Sequence, residues 1–347
     1  MRKASYFAMP EDDALGLVDR APTMHLASTG DLGQPVLRAL HVVRVGSALY
    51  FHGAPVGEKT ETLGRTAVLS YEEDVARVPS SFLDPERACP ATTLYRAVQV
   101  EGTLGDVSDL DEKTEVLRAL MEKLQPEGGY VPLDPKNPLY TKAIESIAVV
   151  KLTITKVTGK AKLGQNRTPE ERQRLLHGFL ARGHVGDLAA IEAVVSANPK
   201  DPLPEFLRAT EGFRLVAHLS ETQIEEAAVL LANAYWLADV PSSTVKEAFR
   251  RSSLRIGALD SKGNLVAAAR ATSDGRVAWI FDVMVAEQVR GRGLASGMVA
   301  LMLAHPSVGK ARHVRLGTRG AESFYRRFGF EDLGKTSRTV EMGRQNP

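Results

Sequence analysis

The residues QVRGRGLASG, 288 to 297, place two glycines and two arginines immediately before a run whose apolar positions, Leu294, Met298, Leu301 and Met302, repeat at helical spacing. Glycine costs a helix roughly 1 kcal/mol relative to alanine, so a pair of them at a helix start calls for a reason beyond helix formation. One reason is backbone access: without a Cβ the chain turns tightly and can present its N–H groups to a close neighbour. At a helix N-terminus those donors and the positive end of the helix dipole suit an anion, and Arg290 and Arg292 add fixed charge. A strand-to-helix turn with solvated arginines would carry the same ten residues, so the motif alone leaves both readings open.

Two other sets of residues invite chemistry. Tyr325 stands in AESFYRRFGF, a short helical pattern ending at Gly329, where a packing tyrosine with its hydroxyl in water is one reading. Asp282, at the end of the apolar stretch VAWIFDVMV, is the carboxylate best placed to serve as a base, or alternatively to pair locally at the strand end. Tyr235 and Trp236 could line a pocket, although aromatics on an amphipathic helix usually belong to the core. In the N-terminal half, Arg38 on a strand and Lys59 in a loop could converge on a phosphate, Arg offering a fork and Lys a point charge.

The elements that must position these residues fall into two groups. With 347 residues the chain suits two domains, and the seam is SANPKDPLPEFLRATEG, residues 196 to 212, where three prolines interrupt the periodic patterns. Before it, the chain reads mostly as strands: TMHLAST, PVLRALHVV, ALYFHG, AVLSYEE, LYRAVQVEGTL and IAVVKLTITKVTG. In the last of these Ala148, Val150, Leu152 and Ile154 share one face, which marks a strand with one buried side. A helix interrupts the set at DLDEKTEVLRALMEKL, and Thr168 with Glu171 forms a capping box that opens another at Pro169. This describes a small β barrel with peripheral helices. After the seam, strand, helix (TQIEEAAVLLANAYW), three strands, helix, strand and short helix follow, an α/β pattern around a central sheet.

Composition narrows the function classes. Lys plus Arg (44) nearly cancels Asp plus Glu (42), and no helix-turn-helix is recognisable, which argues against nucleic acid as a partner. The single cysteine, Cys89, cannot form an internal disulfide or a cysteine-based zinc cluster, so no metal site is expected and a reducing, cytoplasmic setting fits. No apolar run approaches the roughly 20 residues of a membrane span.

Residues 213 to about 343 resemble the GNAT family of N-acetyltransferases, carried by Gln288, Gly291 and Gly293 in the acyl-CoA signature and by the tyrosine before Gly-Phe in AESFYRRFGF. The resemblance implies a mixed central sheet and acetyl-CoA as cosubstrate. The pyrophosphate would be held by backbone donors between Arg290 and Ala295, including Gly291, Arg292, Gly293 and Leu294. The pantetheine arm would run along the main chain of Val283 and Val285, and Tyr325 would be the general acid, acting on a small-molecule amine.

Residues 10 to 195 resemble the pyridoxamine 5'-phosphate oxidase-like split barrels, especially their nitroimidazole-resistance and flavin-nucleotide-binding branches, carried by RALH, YFHGAPVGEK, LYRAVQVEG and KLGQNRTPEER. This implies FMN at a homodimer interface, with Arg38, Leu40, His41 and Lys59 at the phosphate and Phe51 and His52 along the ribityl chain or ring. Haem and an empty barrel are alternatives within the same fold. Ala97 stands where the oxidase branch commonly has a polar residue that can reach the flavin, and the branch's substrate arginine and histidine near its C-terminus have no counterpart in this sequence, which argues against vitamin B6 oxidation. The resulting expectation is an acetyltransferase fused to a flavin-binding barrel with possible oxidoreductase activity. The alternative is a barrel that only dimerises or senses a ligand.

Overall fold

The computed structural model describes residues 4–56 and 61–335. By its contacts the chain divides into two compact units, Met1–Arg172 and Gln173–Pro347, so the division falls earlier than the proline-rich segment 196–212.

The first unit is built on one antiparallel sheet of eight strands: β1 (Ala8–Met9), β2 (Met24–Thr29), β3 (Pro35–Leu40), β4 (Val43–Val45), β5 (Ala48–Gly53), β6 (Thr66–Val78), β7 (Thr92–Val107) and β8 (Ala148–Lys162). Their order is β3-β2-β6-β7-β8-β5-β4, with β1 added on β8. Helix α1 (Glu11–Arg20) drops Ala14, Leu17 and Val18 onto Met24, Leu26, Phe51, Leu69, Val100 and Leu152, all nearly inaccessible. The alternation expected in β8 is present, with Val150 and Leu152 buried and Thr153 and Thr155 exposed. Val149, on the opposite face, is buried too, because helix α2 (Leu110–Leu124) covers that end with Val116 and Leu120 and makes a second small core with Val43, Tyr50 and Val107. The register of β7 against β8 shifts at Glu101/Gly102. A Cβ on Gly102 would overlap the carbonyl oxygen of Thr153, so this bend requires glycine.

Helix α3 (Pro169–Arg182) opens with the expected capping box: the Thr168 N–H donates to Glu171 at 3.0 Å and the Glu171 N–H to Thr168 Oγ1 at 3.2 Å. Helix α4 (Asp187–Ala197) belongs to the second unit, where Glu192 pairs with Arg214 at 3.1 Å and accepts from the Ala217 N–H at 2.6 Å.

The sheet of the second unit contains β9 (Phe213–Val216), β10 (Leu254–Asp260), β11 (Leu265–Ser273), β12 (Val277–Val285) and β13 (His313–Arg315) in the order β13-β12-β11-β10-β9. It is antiparallel except for the parallel pair β12–β13, which makes it mixed. Helices α5 (Glu221–Leu231) and α6 (Ser242–Arg251) pack Ile224, Leu231, Val245 and Phe249 on Val216, Leu259 and Ala268. Leu215, one residue before Val216 and so on the other face, packs against Gly297 of helix α7 (Leu294–Ala304). Helix α8 (Glu322–Arg326) follows β13.

Between β9 and α5, His218 Nε2 accepts from the Arg255 guanidinium at 2.9 Å, since arginine can only donate. Burial first, and then the charge of Arg255, push the His218 pKa down to about 4, so the folded protein holds it neutral. The unfolded chain takes up a proton near pH 6.5. Stability from this residue is therefore fully present above pH 6.5 and is lost as the pH falls toward 4. Urea titrations across that range should show His218→Gln with a flatter pH dependence than the parent, by roughly 1–3 kcal/mol; parallel curves would contradict this.

Candidate active site

The interior strand β12 is irregular where the sequence places its only carboxylate. Arg270 pairs with Phe281 and Ala268 with Met284, so β12 carries one residue more than β11 across the same interval. Asp282 sits in that bulge at φ +56°, a left-handed conformation that costs a non-glycine residue roughly 1–2 kcal/mol. Its carboxylate is only 8% exposed and is held from two sides, by Arg270 Nε at 2.5 Å and by Trp236 Nε1 at 3.0 Å. Arg270 also stacks on the Phe281 ring at 4.4 Å. Beyond Trp279↔Arg315 the pairing of β12 with β13 stops, while β12 runs on to Val285. The edge of Val283 to Val285 is thereby left without a partner strand among the described residues.

The stretch QVRGRGLASG forms a turn and the start of α7. Gly291 and Gly293 have φ of +80° and +79°, and a Cβ on either would point into open space. Gly293 is the N-cap and no side chain caps the helix, so among the described residues the N–H groups of Leu294, Ala295 and Ser296 have no acceptor. No acidic residue lies in the first turn. These donors and the dipole make the turn receptive to an anion. Arg290 donates to the Val285 carbonyl at 3.2 Å and pairs with Glu287 at 3.4 Å. Gln288 is exposed on the preceding 3-10 turn. Arg292 turns away: its guanidinium stacks over Phe213 at 5.6 Å, and only its carbonyl is used, by Thr210 at 2.6 Å.

A cleft of about 820 Å³ joins these parts. Val283, Val285, Arg290, Gly291, Gly293, Leu294 and Ala295 line it together with Tyr325 of α8. Burial raises the Tyr325 pKa, and neighbouring Tyr235 adds to the shift, so the phenol keeps its proton at neutral pH. Tyr235 and Trp236 also line the cleft. The helix expected to carry them ends at Leu231, and a 3-10 turn, Tyr235–Leu237, leaves them 54% and 41% exposed, so they are wall and not core. Asp282 lies behind Trp236, outside the lining.

Sequence reasoning missed Arg270, Arg319 and helix α6. Arg270 had a signal: a lone charge in NLVAAARAT, which if buried must find a carboxylate. Arg319, over the Tyr235 ring at 5.5 Å, had none.

In the first unit the expected flavin residues divide. Arg38 on β3 and His41 just after it are exposed, with Arg38 Nη1 donating to the Leu37 carbonyl at 2.7 Å. His52, at the end of β5, is half-buried. Leu40 and Phe51 point into the core at 8% and 0% exposure, which leaves their main chain as the part open to a ligand. Their positions on short strands packed against α1 decide this. Lys59 lies outside the described residues.

With both sites described, comparison with known proteins identifies the classes. Residues 10–161 match the family model for pyridoxamine 5'-phosphate oxidase, and residues 254–332 match that for the acetyltransferase (GNAT) domain. The chain thus joins a pyridoxamine 5'-phosphate oxidase-like split barrel to a GNAT domain. No curated protein matches it. Among solved structures it is similar to a candidate 5-nitroimidazole antibiotic resistance protein of Bacteroides thetaiotaomicron, at 17% identity, covering 44% of this chain and 85% of that one with a TM-score of 0.37. It is also similar to a flavocytochrome of Azotobacter vinelandii, at 23% identity over 46% and 71% with a TM-score of 0.40. A candidate GNAT acetyltransferase of Xanthomonas campestris pv. campestris matches at 27% identity over 38% and 95%, with a TM-score of 0.33. No helix of the described residues is long and apolar enough to cross a membrane.

Replacing Asp282 by Asn removes the charge that faces the buried Arg270. Chemical denaturation should register a loss of about 3 kcal/mol, the scale for breaking a buried pair. An unchanged midpoint would mean that Arg270 and Asp282 are not coupled.

Proposed function

We propose that the second unit is an acetyl-CoA-dependent N-acetyltransferase acting on a small-molecule amine. The observation that carries this reading is the meeting, in one cleft, of free N–H donors at the start of α7, an unpaired strand edge and a protonated phenol. The pyrophosphate would lie against the turn from Arg290 to Ala295, with Gly291 and Gly293 leaving room for it. The pantetheine amides would bond to the open edge at Val283 and Val285. Attack by the neutral amine forms the C–N bond, and collapse of the tetrahedral intermediate breaks the C–S bond. Tyr325 gives its proton to the departing sulfur, and the proton lost by the amine leaves to solvent. Burial suits Tyr325 to this, because a phenol with a raised pKa stays protonated until it is used.

Asp282 is the base suggested by the sequence, but its bonds to Arg270 and Trp236 support a positioning role. It fixes the bulge and the indole at the cleft wall. Arg292 contributes its main chain to the pyrophosphate turn, and Gln288 stays at the rim.

In the first unit, the exposed side chains of Arg38 and His41 and the half-buried His52 fit the phosphate and the polar chain of FMN, in the cytoplasm and at a homodimer interface. When bound, FMN would supply redox chemistry, and the protein's residues would bind and orient it. The burial of Phe51 and the alanine at position 97 favour a second reading, in which the barrel dimerises or senses a ligand without turnover.

Gly293→Glu should abolish CoA binding measured by calorimetry, through strain at φ +79° and a charge facing the pyrophosphate; unchanged affinity would sink the assignment. Tyr325→Phe should lower kcat by about 10²–10⁴-fold with little change in the KM for acetyl-CoA. For the barrel, the purified protein should show flavin bands and release FMN on denaturation. A colourless protein that takes up no FMN would support the scaffold reading.

A further inference from the structure

The acceptor side of the cleft has a chemistry of its own, and reading it rests on the transferase assignment above. The charged residues lining the cleft, among those described, are Arg290, Arg319 and Arg327. Arg290 is engaged by Glu287 and by the Val285 carbonyl, next to the α7 turn. Arg327 stacks on Phe324 at 5.0 Å and donates to its carbonyl at 3.4 Å. Arg319 is exposed, has no carboxylate within ion-pair distance among the described residues, and lies over the face of Tyr235. Arg319, Tyr235 and Tyr325 line the same cleft, and Arg319 lies over the Tyr235 ring, so the guanidinium shares that wall with the phenol.

The wall beside it is aromatic and stiff. Tyr235 and Trp236 meet edge to face at 5.0 Å with an interplanar angle of 87°, forming a corner with two ring faces. The indole N–H is tied to Asp282, which is itself fixed by Arg270, so the corner is pre-organised. A polycationic amine would meet guanidiniums here, and the nearby carboxylate is already neutralised and screened by Trp236. A planar guanidinium with free donors instead matches a carboxylate in two-point geometry.

We propose that the acceptor is an amine that also carries a carboxylate and an aromatic ring, an aromatic amino acid in chemical type, with Arg319 holding the carboxylate and the Tyr235–Trp236 corner holding the ring. The carboxylate orients the neighbouring amine toward the thioester carbon beside Tyr325.

The test compares initial rates with acetyl-CoA for phenylalanine, tryptophan, phenylalaninamide, phenethylamine and spermidine, in the parent and in Arg319→Gln, with CoA affinity measured separately by calorimetry. The aromatic acids should give the highest kcat/KM. Arg319→Gln should raise their KM about tenfold or more, the scale of one charge-assisted contact, while phenethylamine and the KM for acetyl-CoA stay unchanged. A preference for spermidine or phenethylamine would overturn the proposal. So would a rise in the KM for acetyl-CoA in the variant, which would assign Arg319 to the CoA phosphates. If CoA binds but neither aromatic acid reacts, the acceptor assignment fails and the transferase reading stands; if CoA does not bind, both fail.

Discussion

The buried carboxylate of Asp282 is the constraint on which the second unit depends. A left-handed aspartate in an interior strand is unfavourable by itself, and two charge-assisted bonds, from Arg270 and Trp236, hold it there. Two features go with it: the register against β11 slips by one residue, and the indole of Trp236 is pinned beside the carboxylate. β12 parts from β13 after Trp279, where β13 itself ends at Arg315, and this leaves an edge of β12 open among the described residues.

The start of α7 complements that opening. Gly291 and Gly293 carry the chain through two left-handed positions that other residues would resist, and the uncapped first turn then presents its N–H groups to the cleft. Tyr325 is partly desolvated in the same cleft and keeps its proton. The uncapped turn and the phenol thus lie on separate elements within one concave surface. In the barrel, burial is spent differently: α1 and α2 cover two faces of the sheet, and most aliphatic side chains of β5 and β8 go into those two cores.

Most strands along the chain in both units were legible because period-2 alternation and turn residues are local signals, and so was the capping box at Thr168 and Glu171. The α7 turn was legible because glycine pairs before a helix have few uses. The wall of the cleft was not. The chain from Ala232 to Trp236 reads as a continuation of α5, whereas the helix ends at Leu231 and Trp236 bonds to Asp282, a partner 46 residues away. Arg270 and Asp282 are separated by 12 residues and face each other only through the bulge. The resemblance places Phe51 beside FMN, and strand alternation sends its ring into the core, a burial that the motif around His52 and Gly53 does not display. The division at Arg172/Gln173 was hidden for a similar reason. Glu192 ties α4 to β9 through a tertiary pair that composition does not reveal.

The most direct test of the central claim is amide NMR of the protein, with backbone assignments, titrated with CoA. The account predicts the largest shifts at the N–H groups of Gly291 to Ala295 and of Val283 and Val285, moving together with a single affinity. Shifts confined to other surfaces, or none at these residues under saturating CoA, would contradict it.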